Sequence, residues 1–174
     1  MKLQQIKIDF HPEQDRLLLR LASEDRSEIL LWLTRRCVRL LWPLLMKTAE
    51  SAPGIALQPM PDARQALLGM QHERALSQAD FSRPYQNGER ARPLGAEPVL
   101  VTRIDSARNA AGKYVLAFLP REGQGINLAL DDTLLHGLCK LLQDAVGKAD
   151  WDMRLEVPTG SLAGDAERGS RLLN

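Results

Sequence analysis

The chain has 174 residues, 44% of them hydrophobic and 26% charged, with a formal net charge of +1. That length and apolar content suit one compact domain, and the near-neutral balance argues against a protein held on a nucleic-acid backbone by bulk charge. Partners must be sought in local sites.

The opening residues Leu3-Gln4-Gln5-Ile6-Lys7-Ile8-Asp9 alternate and carry charge, so they lack the apolar core of a signal peptide. The most apolar stretch, Ile29 to Leu45, is interrupted by Arg35, Arg36 and Arg39 and is too short to span a bilayer. No membrane span and a cytoplasmic location are the expectation. Cys37 and Cys139 fall in apolar helical patterns without a CxxC motif, which suits small buried side chains in a reducing compartment.

Residues 2–10 read as a strand with Ile6, Ile8 and Phe10 on one face, and His11-Pro12-Glu13-Gln14 as a turn. A second strand follows from Arg16, with Leu17, Leu19 and Leu21 facing one way. The third, Ile29 to Leu33, is apolar on both faces and needs cover on both. Thr34 is a suitable N-cap for a helix whose Cys37, Val38, Leu40, Leu41, Leu44 and Leu45 form an apolar stripe. Within it Pro43 removes a backbone donor and predicts a kink or an end, which would aim Trp42 at a separate surface.

A further helix is predicted over Pro61 to Phe81, with Ala66, Leu67 and Met70 inward and Leu68, Ala75 and Leu76 as further inward candidates, followed by an irregular linker from Ser82 to Gly95. The strand–helix plan then recurs. Val99 to Ile104 and Lys113 to Leu119 read as strands, Ile126 to Leu130 as a third, and Asp131 or Asp132 as the cap of a helix carrying Leu134, Leu135, Leu138, Cys139, Leu141 and Leu142. Tyr114, Leu116 and Phe118 follow Leu17, Leu19 and Leu21 by a constant 97 positions (114 − 17 = 97), as Ile126 follows Ile29. The opening strands align less well, and matching Ile8 to Ile104 gives 96 (104 − 8 = 96). Trp151 to Pro158 reads as a short strand or packed arm, and Thr159 to Asn174 as a frayed tail.

The predicted fold class is therefore α+β. Two βββα units, residues 1–52 and 97–150, repeat about a pseudo-twofold relation with antiparallel sheets, an extra helix and linker over 53–96, and an arm and tail over 151–174, in one compact domain. Repeated units of sheet plus C-terminal helix resemble in architecture the Whirly-type single-stranded DNA-binding domains, with three strands counted against four. The likeness is topological and carries no residue across.

Arg35, Arg36 and Arg39 are the sharpest local feature. They lie on one side of a helix start, where cations oppose the dipole and unpaired N–H groups favour anions. The plain alternative is a solvated face paired with Glu24, Asp25 or Glu28. The equivalent positions of the second unit hold Asp132, Thr133 and His136, so an anion or partner site would belong to the first half alone. Trp42, Arg83, Arg90 and Arg92 are its auxiliaries.

His11, His72 and His136 show no metal-ligand spacing, Gly123-Gln124-Gly125 sits between strands, and no nucleophile motif occurs. Asp9, Asp105, Asp131 and Asp132 read as solvated or capping residues. The expectation is a non-enzymatic protein without metal or cofactor, acting through a protein partner or self-association, with single-stranded nucleic-acid binding through the helix arginines as the alternative.

Overall fold

The computed structural model describes residues 2–79, 83–110 and 113–158. Strands β1 (Leu3–His11), β2 (Arg16–Ser23) and β3 (Glu28–Thr34) form an antiparallel meander, in which Leu17 pairs with Leu33, Leu19 with Leu31 and Leu21 with Ile29. These alternate side chains share one face and are buried. Helix α1 (Arg35–Glu50) follows directly, capped by Thr34, whose hydroxyl accepts from the Cys37 N–H at 3.1 Å.

A single turn, α2 (Pro53–Ala56), which the sequence pattern does not announce, precedes α3 (Pro61–Gln78). The predicted strand at Val99 divides in two. Residues Val99–Leu100 (β4) run parallel to β3 and close the edge of the first sheet, and Val101 donates to the Trp32 carbonyl at 3.0 Å. The chain then crosses to the second sheet, made of β5 (Arg103–Arg108), β6 (Tyr114–Leu119) and β7 (Ile126–Leu130), before α4 (Asp132–Ala149). Asp131 caps α4, accepting from the Leu134 N–H at 2.8 Å.

The repeat is structural. In the second sheet Tyr114 pairs with Leu130, Leu116 with Leu128 and Phe118 with Ile126, which is the β2–β3 register moved by 97. The two caps obey the same displacement. The opening strands do not follow the predicted match: Ile6 pairs with Leu21 as Ile104 pairs with Phe118, so Ile6 and Ile104 are equivalent at 98 (104 − 6 = 98). The second hairpin is one residue shorter, and hairpin register follows loop length. Ile8 and Phe10 therefore correspond to Ser106 and Arg108.

Packing is reciprocal. Helix α4 lies on β1 of the first unit and α1 on β5 of the second, with α1 and α4 touching each other, so each unit's helix covers the opposite unit's first strand and the halves share one core. That exchange is the pseudo-twofold arrangement, with α3 placed against α4.

Of the two outcomes expected at Pro43 the helix end does not occur, and the placements of Trp42 and Met70 are corrected. Helix α1 continues through Pro43, which sits on its exposed side, so the carbonyl left without a donor belongs to exposed Arg39. Trp42, 9% exposed, joins the core instead of a separate surface. On α3 the buried residues are Ala66, Leu68, Gly69, His72 and Ala75, while Met70 is 54% exposed, because the helix approaches α4 along its small residues and His72. After α4, residues 151–158 form a packed arm without a strand, anchored by buried Trp151. Phe81 and Ser82, Ala111 and Gly112, and the predicted tail from Thr159 lie outside the described residues.

Candidate functional site

Arg35, Arg36 and Arg39 are exposed at the start of α1. Arg35 donates to the Asp152 carbonyl at 3.4 Å. The acidic residues of the preceding turn are engaged with other groups: Glu24 pairs with Lys2, Asp25 accepts from Ser23 and Ser27, and Glu28 pairs with Arg20. The linker arginines stand at the other end of β3. Arg92 reaches Glu28 at 3.4 Å and the Ala96 carbonyl at 3.1 Å, Arg90 donates to the Ser23 carbonyl at 3.3 Å, and Arg83 is exposed beside Pro84. Since β3 runs from Glu28 to Thr34, the two arginine groups lie roughly 20 Å apart along the strand and do not share one groove.

Glu28 shows what the linker arginines hold. Its carboxylate, 3% exposed, accepts from Arg20 Nη2 at 2.8 Å, Arg20 Nε at 3.1 Å and the Tyr85 hydroxyl at 2.8 Å, while the Arg20 guanidinium lies 4.5 Å from the Tyr85 ring centroid. Burial raises the Glu28 pKa, but the Tyr85 and Arg20 hydrogen bonds outweigh it and the net shift is downward. Burial and Glu28 together push the Tyr85 phenol up. Main-chain bonds complete the clasp, with Glu28 donating to Ala91 at 2.8 Å and Ala91 to Arg26 at 3.0 Å. The linker is thus strapped to the first sheet.

Sequence spacing separates His72 from His136 by 64 residues, yet the fold sets their Nδ1 atoms 3.0 Å apart in the α3–α4 contact. His136 is 1% exposed, and its Nε2 has no hydrogen-bond partner among the described residues. Among the described residues no group of three or more His, Cys, Asp or Glu side chains could hold a metal ion. Burial raises Cys37 and Cys139 to about 12, so neither thiol is an activated nucleophile. The four singled-out carboxylates do not converge: Asp9 pairs with Lys7, Asp105 with Arg103, Asp131 caps α4, and Asp132 accepts from Gln71 at 3.0 Å. No helix among the described residues is long and apolar enough to cross a membrane.

A groove of about 1120 Å³ lies between α2–α3 and one end of the second sheet. Helix α3 contributes Leu67, Met70, Gln71, Arg74 and Gln78, a stripe at helical spacing beside the one that packs on α4. Pro53, Gly54 and Ile55 come from α2, Arg108, Tyr114 and Leu130 from the sheet, and Asp131 and Asp132 from the start of α4. The Arg108 guanidinium lies 4.3 Å from the Tyr114 ring centroid and donates to the Ser51 carbonyl at 3.2 Å and to the Tyr114 hydroxyl, which also contacts the Ser51 hydroxyl. Its lining combines apolar side chains with charges of both signs, a composition suited to holding a partner segment. Nothing in the single sequence marks the groove, because its walls come from four separated segments. Comparison with protein-family models, with curated proteins and with solved structures finds no match to the chain.

Proposed function

We propose that the chain is a non-enzymatic binding protein that holds a segment of a protein partner in the groove between α2–α3 and the second sheet. Its carrying observation is the exposed, half-apolar stripe of α3 centred on Met70, which faces an open groove. Methionine is an adaptable contact residue, and Leu57 and Met60 extend exposed apolar surface along the same α2–α3 region. The inward face of β3, Ile29, Leu31 and Leu33, and Trp42 lend no support, since the core consumes them. A cytoplasmic setting agrees with the two free, buried cysteines.

A photo-crosslinking residue placed at Met70, and at exposed Glu13 as control, tests this reading in cells. The expected result is a discrete adduct from position 70 alone, lost when Arg74→Glu and Leu67→Asp are added. Equal labelling at both positions, or none, removes the groove as the binding surface.

The exposure of Arg35, Arg36 and Arg39 at one helix start favours a second reading, single-stranded nucleic-acid binding. Arg90 and Arg92 contribute little to it, being tied to Ser23 and Glu28. Fluorescence anisotropy with labelled oligonucleotides across a salt series decides: binding must weaken with salt and with the triple Ala substitution, because phosphate contacts release counterions.

A further inference from the structure

The two sheets end differently beyond their third strands. In the first, the outer edge of β3 is paired: Leu31 stands opposite Val99 and Trp32 opposite Leu100 in parallel register, and the Val101 N–H donates to the Trp32 carbonyl at 3.0 Å. Earlier on the same strand Glu28 donates to the Ala91 carbonyl. In the second sheet β7 holds the place of β3 at the displacement of 97, and among the described residues the sheet ends there.

Ala129 takes the position of Trp32 (129 − 32 = 97), as Val115 opposite it takes that of Leu18. In an antiparallel pair a residue turns its N–H and C=O to the same side. Because the Trp32 carbonyl faces β4, both main-chain groups of Ala129 face the open edge, and no described residue supplies them with a partner. The lead-in to β1, which corresponds to β4, does not cross to fill this place. Leu3 pairs with Ser23 in its own sheet, and the Lys2 carbonyl accepts from the Glu24 N–H at 3.1 Å.

Outer strands that face water usually carry charge or proline, which discourages a further strand. Strand β1 has Lys7 and Asp9, and β5 has Arg103, Asp105 and Arg108. Strand β7, Ile126-Asn127-Leu128-Ala129-Leu130, has neither a charge nor a proline, and its exposed side chains, Asn127 and Ala129, are short. In this it matches the paired stretch of β3 from Ile29 to Thr34 and differs from the two outer strands.

We infer that β7 receives an extended segment of a partner protein as a parallel strand, in the register that β4 adopts on β3. The chemistry of that segment is read from β4 and its flanks: an uncharged, β-branched run such as Pro98-Val99-Leu100-Val101, held mainly by main-chain hydrogen bonds to Ala129. Leu128 stands opposite the residue equivalent to Val99, since it lies 97 positions after Leu31 (128 − 31 = 97). The inference does not rest on the groove, and neither reading falls with the other.

The test uses the full chain, isotope-labelled for NMR, and a peptide copying residues 96–103, the segment that the fold already accepts on the equivalent edge. The Ala129 amide should shift on titration and exchange its hydrogen more slowly. The same peptide methylated on the Val101 nitrogen loses the donor that Trp32 accepts in the first sheet, and should bind about tenfold more weakly or worse. Ala129→Pro removes a main-chain donor that β6 does not use, and should abolish binding. The methylated peptide leaves the protein unchanged, so it decides the matter should Ala129→Pro fail to fold.

No shift at Ala129, equal binding of the two peptides, or shifts confined to Trp32 and its neighbours through exchange with β4 would overturn the inference. Protection of the Ala129 amide that grows with protein concentration in the absence of peptide would also overturn it, by showing that two β7 edges pair with each other.

Discussion

The Nδ1 atoms of His72 and His136 face each other at 3.0 Å across the contact between α3 and α4. One ring must donate and the other accept, which requires at least one neutral imidazole. Burial lowers both, His136 down to about 4 with the His72 ring adding to the effect. Asp132 on α4 and Glu73 on α3 oppose that shift, and Lys140 on α4 reinforces it for His72.

Acid should therefore loosen this contact. The unfolded chain binds protons near the ordinary histidine value of 6.5, whereas His136 in the folded chain resists until about 4. Its contribution is complete above the higher value and declines as pH falls through that window, by on the order of 3 kcal/mol at the lower end. Urea unfolding of the protein and of a His72→Leu, His136→Leu double variant over this range would show the difference; parallel acid losses in the two would refute the assignment.

Glu28→Gln should cost about 3 kcal/mol, because it strips the charge from a buried acceptor that serves Arg20, Tyr85 and Arg92. Its lowered pKa means the carboxylate stabilises the fold above the ordinary value and loses that contribution as pH falls through the depressed one. Hydrogen exchange should quicken at Ala91, whose N–H is bonded to Arg26. Unchanged exchange there would show that the linker is held by other means.

Gly125→Ala should destabilise by about 2 kcal/mol or more. A Cβ at this position would stand 2.5 Å from the Phe118 carbonyl oxygen and 2.7 Å from a Leu119 methyl, and the first of these is backbone. Thermal unfolding measures the loss, and a melting temperature equal to that of the parent would contradict so close an approach.

Trp151 and Gly54 should respond unequally to truncation and enlargement. Trp151→Ala removes a buried ring from Phe10 and should cost about 3–5 kcal/mol, whereas Gly54→Ala adds a methyl in open space and should change stability by less than about 0.5 kcal/mol. Denaturant unfolding of both variants checks the contrast. Comparable losses would mean that α2 already closes the end of the second sheet.

The repeat was readable because each strand alternates and its apolar members recur at a fixed distance: Leu17, Leu19 and Leu21 announce Tyr114, Leu116 and Phe118 before any contact is known. The same pattern misaligned the opening strands. A turn shorter by one residue moves the pairing without disturbing the alternation, so Ile104 answers Ile6 instead of Ile8. The side assigned to Met70 failed for a related reason, since helical spacing marks a stripe but not which neighbour that stripe meets.

Strands, long helices, caps and most of the core thus follow from local periodicity and capping chemistry, which depend on residues close in the chain. The exchange of helices between units, the clasp on Glu28, the meeting of His72 with His136 and the groove left open beside Gly54 do not. Each depends on how two nearly equivalent halves pack against one another, bringing together residues whose distance in the chain bears no relation to their distance in space.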